Sequence, residues 1–268
     1  MDTTQALIEL GVTEETFGAL FPSEDRHLLD EAGYVSFPNA LTAEQYTRAA
    51  SEFDRLSEQE GAEGGREVHT EVGARRVSNI FNKTDVFDFL LIYPPLLVAA
   101  QYLLGEFKLH GANLREPLPG FGEQDLHVDV GRRFVGDWGV LNALICFDDM
   151  NPDNGGTRII PGSHRWNVTP GDNPSAKMSQ EDVVLIPADR RAPYPGELYV
   201  TATAGSIIAI NSSLWHSGTR NASGKRRRQL HLSFTRRDLP QQFDQRAHCT
   251  PELYARLHPA VRWILDIA

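Results

Sequence analysis

The sequence predicts an α+β fold, with helices laid over one face of a β-sandwich or barrel. Three observations carry this expectation. Helical periodicity dominates up to about residue 106, and short β-prone runs broken by Gly, Pro, Asn and Asp take over from Phe107. No linker or change of composition separates the two parts, so helices and strands are expected to share a core. The 268 residues, 41% of them hydrophobic, are enough for one large core. The expected organisation is a single domain over 1–268: helices over about 1–106, a strand core over about 107–237 and a helical tail over about 238–268.

A first helix is expected from Glu24 to Glu31, stopped by Gly33, followed by a short strand Tyr34–Phe37 closed by Pro38. Thr42 and Gln45 have the spacing of a capping box, and Ala49, Phe53 and Leu56 then form an apolar stripe. That helix ends in the loop residues Glu60 to Gly65. A further helix spans Pro95 to Leu104, with proline tolerated in its first turn. Strands are expected at Leu126–Val130, Val140–Phe147, Thr157–Ile160, Glu197–Thr203, Ser206–Ile210 and Arg227–Thr235. The long loops Gly65–Asn82 and Asn167–Pro195 are the candidate lid segments.

Charge and composition exclude some partners. A formal net charge of -10 argues against a nucleic-acid partner held by its backbone. The apolar stretch Phe87–Leu104 is interrupted by Asp88 and Pro94-Pro95, so no membrane partner is expected. The N-terminus has neither a basic leader nor a cleavable apolar segment. Cys146 and Cys249 are far apart and read as reduced thiols of a cytoplasmic protein. The oligomeric state has no sequence signal.

The chemistry concentrates in a few positions. His127 and Asp129 stand two apart among Leu126, Val128 and Val130, so in a strand both would project from one face. Two of the three ligands of a facial triad have this form. His216 is the third candidate, just past the apolar strand Ser206–Ile210. Downstream, Leu230, Leu232 and Phe234 share one face, suited to packing against helices. Arg227, Gln229, His231 and Ser233 share the other, a polar row suited to a barrel interior. An inward arginine beside a metal needs an anion, and a carboxylate bound by both nitrogens would satisfy it.

With these residues in place the chain resembles the phytanoyl-CoA dioxygenase family of iron(II)- and 2-oxoglutarate-dependent oxygenases. The resemblance rests on His127-Val128-Asp129, the segment Asn154-Gly155-Gly156-Thr157-Arg158-Ile159-Ile160-Pro161-Gly162-Ser163-His164, and Trp215-His216-Ser217-Gly218. Asn221 and Arg227 follow His216 at family spacing, and Asp30 to Val35 and the helix after Leu41 look like the family's opening. It spans about residues 24 to 237. It implies a double-stranded β-helix (jelly-roll, cupin-like) with helices packed on the larger sheet. It implies His127, Asp129 and His216 as iron ligands and catalytic centre, Arg227 as the partner of the distal carboxylate of 2-oxoglutarate, and Asn113 as a weaker cosubstrate contact. The implied cofactors are Fe(II), 2-oxoglutarate and O2, and the implied products include succinate and CO2. Related halogenases replace the carboxylate with a small residue. Asp129 therefore favours hydroxylation, desaturation or oxidative cyclisation of a small-molecule substrate, by default a natural-product intermediate. The acidic balance slightly favours an amino-bearing substrate over an acyl-CoA.

Some relatives carry a hydroxyl two residues after the distal histidine. Here that position is Gly218, with Ser217 or Thr219 as replacements. His231 could touch substrate or be a hydrogen-bonded interior histidine, and His164 is expected to fix a loop. His69 and His110 carry no signal, and Trp138, Trp166 and Trp215 read as core or pocket wall. Arg115 could meet an anionic substrate group or form a surface salt bridge, whereas Arg226 and Arg228 read as a solvated edge. The alternatives to an oxygenase are a non-redox, cupin-like metal-binding module and a metal-dependent isomerase or lyase on the same barrel. An inward Arg227 favours a ketoacid cosubstrate over the first of these.

Overall fold

Two antiparallel sheets face each other, and the site lies between them. The computed structural model describes residues 1–166 and 188–268; most of the candidate lid Asn167–Pro195 lies outside the described residues. The larger sheet has six strands in the order β1 (Tyr34–Phe37), β7 (Ile207–Asn211), β4 (Val140–Cys146), β9 (Gln229–Arg236), β3 (Phe107–Pro117) and β2 (Ala74–Val77). The smaller runs β6 (Leu198–Tyr199), β5 (Thr157–Ile159), β8 (His216–Gly218). This is the jelly-roll arrangement of a double-stranded β-helix. No helix among the described residues is long and apolar enough to cross a membrane.

Alternation along the strands decides what each face does. Leu141, Ala143, Ile145, Leu230, Leu232 and Phe234 turn outward into the main core with the helices, as the sequence predicts for β9. Asn142, Gln229, His231 and Ser233 turn inward onto the cavity. Helix α4 (Ala43–Glu60) adds Phe53 and Leu56 to that core and begins with the expected capping box, Thr42 against Gln45. Helix α3 (Ser23–Glu31) and helix α5 (Pro94–Leu104) also form where the sequence places them. Two seven-residue helices, α1 (Thr3–Glu9) and α2 (Glu14–Leu20), precede them; the sequence reading did not anticipate either. Three short helices, at Gln245–His248, Pro251–Arg256 and Pro259–Leu265, follow the last strand.

Strand β3 contains the feature that matters most for the interior. Its pairing with β9 shifts between Leu109 and Gly111, leaving His110 as an extra residue. Before the bulge, Phe107 and Leu109 face the core; after it, Ala112 and Leu114 do. One inserted residue reverses the alternation, and this turns Asn113 and Arg115 inward.

Two expectations need correction here. The stretch Gly65–Asn82 is not all loop, because Ala74–Val77 forms the edge strand β2 on β3. Arg226 is exposed, as a solvated edge would be, but Arg228 is part-buried and both are held in ion pairs. Arg226 pairs with Asp54 and Glu116, and Arg228 with Asp54 and Asp148. Arg75 joins Asp54 at 2.9 Å and Glu116 at 2.8 Å. Asp54 thus ties α4 to three arginines on the sheet side. Asp54→Ala leaves those cations short of a partner and is expected to cost about 1–3 kcal/mol, read as a shift of the urea midpoint.

Candidate metal centre

The site begins with one pair of residues. His127 and His216 are cross-strand neighbours, and each backbone N–H donates to the other's carbonyl at 2.9 Å. Their side chains therefore leave from the same face. Leu126 and Trp215, one residue earlier in each segment, turn the other way into a small apolar cluster with Ile160. The expected strand Leu126–Val130 reduces to this single bridge. Beyond it the backbone bends, because the N–H groups of Asp129 and Val130 both donate to the Ser212 carbonyl, at 3.0 and 3.3 Å. The bend brings Val130 to the cavity wall, contrary to the alternation expected of it. It also carries Asp129 back toward both imidazoles.

Asp129 Oδ1 lies 3.5 Å from His127 Nε2 and 3.6 Å from His216 Nε2. One ligand atom from each of the three residues falls within 4.8 Å of the others. The remaining imidazole nitrogens are tied down: His127 Nδ1 to the Asp125 carbonyl at 2.7 Å and His216 Nδ1 to the Leu214 carbonyl at 2.9 Å. A carbonyl only accepts, so each Nδ1 carries the proton and each Nε2 offers a lone pair. Burial alone would raise the Asp129 pKa, but the charges and hydrogen bonding of His216 and His127 hold it below the usual carboxylate range. Burial pushes His216 down, toward its neutral form; burial would lower His127 too, but its hydrogen bonds to Asp129 and the Asp125 carbonyl hold it above its ordinary value, so a metal would displace a proton there. Ionised carboxylate and neutral imidazole are the forms a divalent metal requires, so the donor set fits one.

Asn142, which the sequence reading missed, holds the other carboxylate oxygen, its Nδ2 donating to Asp129 Oδ2 at 3.3 Å. Its signal was a lone amide in the apolar run Val140–Phe147. Arg158 was missed as well. Its Nε donates to Ser217 Oγ at 3.0 Å, beside His216, while Nη1 and Nη2 donate to the carbonyls of Ala192 and Arg190, each at 2.8 Å. The glycine before Thr157 is needed for close approach: a Cβ at Gly156 would sit 2.4 Å from the Asn151 carbonyl.

Arg227 is 1% exposed. Its Nη1 donates to Gln229 Oε1, and its Nε and Nη2 have no partner. Burial, reinforced by the charge of Arg115, lowers its pKa to about 9, so it remains a cation at neutral pH. A buried guanidinium with two idle nitrogens fits an anionic ligand such as a dicarboxylate, but Arg227 itself does not line the cavity; Gln229, to which it donates, does. Asn113 reaches the cavity wall, but its amide is engaged at both ends, with Ser78 and Gln242, each at 2.8 Å. His231 contacts the Gln229 amide, the interior arrangement rather than a free one. His164 fixes a loop as expected, against the Asp30 carbonyl at 3.0 Å.

Of the two hydroxyls offered in place of the one absent at Gly218, Thr219 is committed elsewhere, whereas Ser217 lines the cavity and keeps its O–H to donate. Thr219 Oγ1 donates to the Pro152 and Gly156 carbonyls, and Ser217 Oγ accepts from Arg158. Gln124 fills the space at that position, and a Cβ at Gly218 would lie 2.9 Å from its Oε1 and 2.7 Å from the Gly122 carbonyl. Arg115 is not on the surface. It is 3% exposed, lines the cavity and is paired with Glu71.

The comparisons with known proteins agree with this geometry. The family model for phytanoyl-CoA dioxygenase matches residues 29–229, and the chain belongs to that family. It is an iron(II)- and 2-oxoglutarate-dependent oxygenase. An uncharacterised protein of Mycobacterium tuberculosis is 27% identical over 225 residues, covering 81% of this chain and 76% of that one. Ectoine dioxygenase of Bordetella bronchiseptica is 24% identical over 230 residues, covering 78% and 74%. Among solved structures, HygX of Streptomyces hygroscopicus, with nickel and 2-oxoglutarate bound, superposes with a TM-score of 0.62 at 16% identity, over 86% of this chain and 93% of that one.

Two expected outcomes follow from the wall of the site. Gly218→Ser, which restores the relatives' hydroxyl, meets Gln124 and a carbonyl; it should cost about 1–3 kcal/mol in denaturant melts without tightening 2-oxoglutarate binding. Burial would raise the Glu71 pKa, but Arg115 and Arg76 outweigh it and bring it from 4.5 to about 2. Its stabilisation is therefore complete above about pH 4.5 and fades as pH falls toward 2. Glu71→Gln should flatten the acid limb of stability within that window, measured by chemical denaturation at stepped pH.

Proposed function

We propose that His127, Asp129 and His216 hold the iron and that Arg227 receives the distal carboxylate of 2-oxoglutarate. The observation that carries this reading is the convergence of the three ligand atoms within 4.8 Å, with both imidazole tautomers fixed from behind. Bound iron and 2-oxoglutarate supply the oxidising chemistry, the cosubstrate leaving as succinate and CO2. The chain's own residues do the positioning. Asn142 orients the carboxylate, Arg158 braces the segment carrying His216, and Arg227 neutralises the far end of the diacid.

The product is a hydroxylated, desaturated or cyclised small molecule. A carboxylate at Asp129 occupies the coordination position that halide transfer would need. The cavity of about 250 Å³ is small even among small-molecule sites. That size supports a compact substrate, and the binding of hygromycin B by HygX supports a natural-product intermediate. Two free thiols support a cytoplasmic location.

Succinate formation should require iron(II), 2-oxoglutarate and oxygen, and should rise with a matching molecule from a metabolite panel read by mass shift. His127→Ala and Asp129→Ala should abolish it. Arg227→Gln should raise the KM for 2-oxoglutarate about 10- to 100-fold. Undiminished turnover in the ligand variants would overturn the assignment.

A further inference from the structure

We propose that Arg76 and Arg115 together receive a carboxylate of the organic substrate. This inference rests on the oxygenase reading above and narrows its substrate class. The two arginines face each other across β2 and β3, and both line the cavity. Glu71 takes two bonds from Arg115, through Nε and Nη2, and one from Arg76 Nη1 at 2.8 Å. One carboxylate thus serves two guanidinium groups. Arg76 Nε is buried and has no partner. Among the described residues, Arg76 Nη2 and Arg115 Nη1 have none either.

The charges on the cavity wall, together with Arg227 buried behind Gln229, leave an excess that a substrate can match. A divalent metal with Asp129 carries one net positive charge, and Arg227 carries another. The two carboxylates of 2-oxoglutarate cancel both. His110 and His231 also line the cavity, and burial holds each toward its neutral form. What remains is the cluster of Arg76, Arg115 and ionised Glu71, with one positive charge left over. Arg115 is matched by its two bonds to Glu71, so the cation left short is Arg76, whose side chain is 12% exposed and whose Nε is buried without a partner; such a charge is costly to keep. A carboxylate offers two oxygens, one for each arginine. The count holds even if Arg115 touches the cosubstrate, because 2-oxoglutarate brings only two charges against three.

The test uses anaerobic iron(II) protein saturated with 2-oxoglutarate. Calorimetry is run with free amino acids and short carboxylic acids, each beside its primary amide. At least one acid is expected to bind about tenfold or more tighter than its amide. Arg76→Gln should erase that preference, Arg76→Lys should restore part of it, and both variants should bind 2-oxoglutarate as the parent does. If no acid outbinds its amide, the inference is wrong. It is equally wrong if Arg76→Gln weakens 2-oxoglutarate as much as Arg227→Gln does, since the cations would then belong to the cosubstrate. Failure of the parent to bind 2-oxoglutarate at all would instead sink the oxygenase reading and this inference with it.

Discussion

The reciprocal backbone pairing of His127 and His216 is the constraint on which the site depends. Two hydrogen bonds fix the imidazoles side by side before any metal is considered. Trp215 and Leu126 lock the opposite face, so neither histidine can rotate away without exposing a buried cluster. The bend over Ser212 then needs to deliver only one carboxylate. The candidate metal site owes its geometry to the sheet, so the three side chains would lose little freedom on binding an ion.

The distribution of charge tells the same story on a larger scale. On the helix side of the sheet, Arg75, Arg226 and Arg228 meet Asp54, Glu116 and Asp148, three against three. In the interior the cations outnumber the anions. A chain with net charge -10 therefore encloses a cavity of the opposite sign. Bulk acidity is a poor guide to the substrate for that reason: it describes the surface, whereas recognition is set by a few desolvated groups.

Much of this was legible in the sequence because it depends on local rules. The capping box at Thr42, the inward row Gln229, His231 and Ser233, and the candidates His127, Asp129 and His216 all follow from spacing and alternation. The parts that were not legible depend on where distant segments meet. Nothing local shows that His110 is an extra residue in β3, and nothing local pairs Arg115 with Glu71, so its two readings, substrate contact or surface ion pair, stayed open. The bend after His127 is set by a carbonyl more than eighty residues away, which is why a regular strand was expected there. The ion pairs of Arg226 and Arg228 were hidden because their carboxylate partners lie on α4, on β3 and just past β4. Helices α1 and α2 are too short for periodicity to show.

The most direct measurement is anomalous diffraction at the iron edge from crystals grown or soaked anaerobically with Fe(II). One peak bonded to His127 Nε2, His216 Nε2 and an Asp129 oxygen is the predicted result. A peak held by other side chains, or none at saturating iron, would contradict the account.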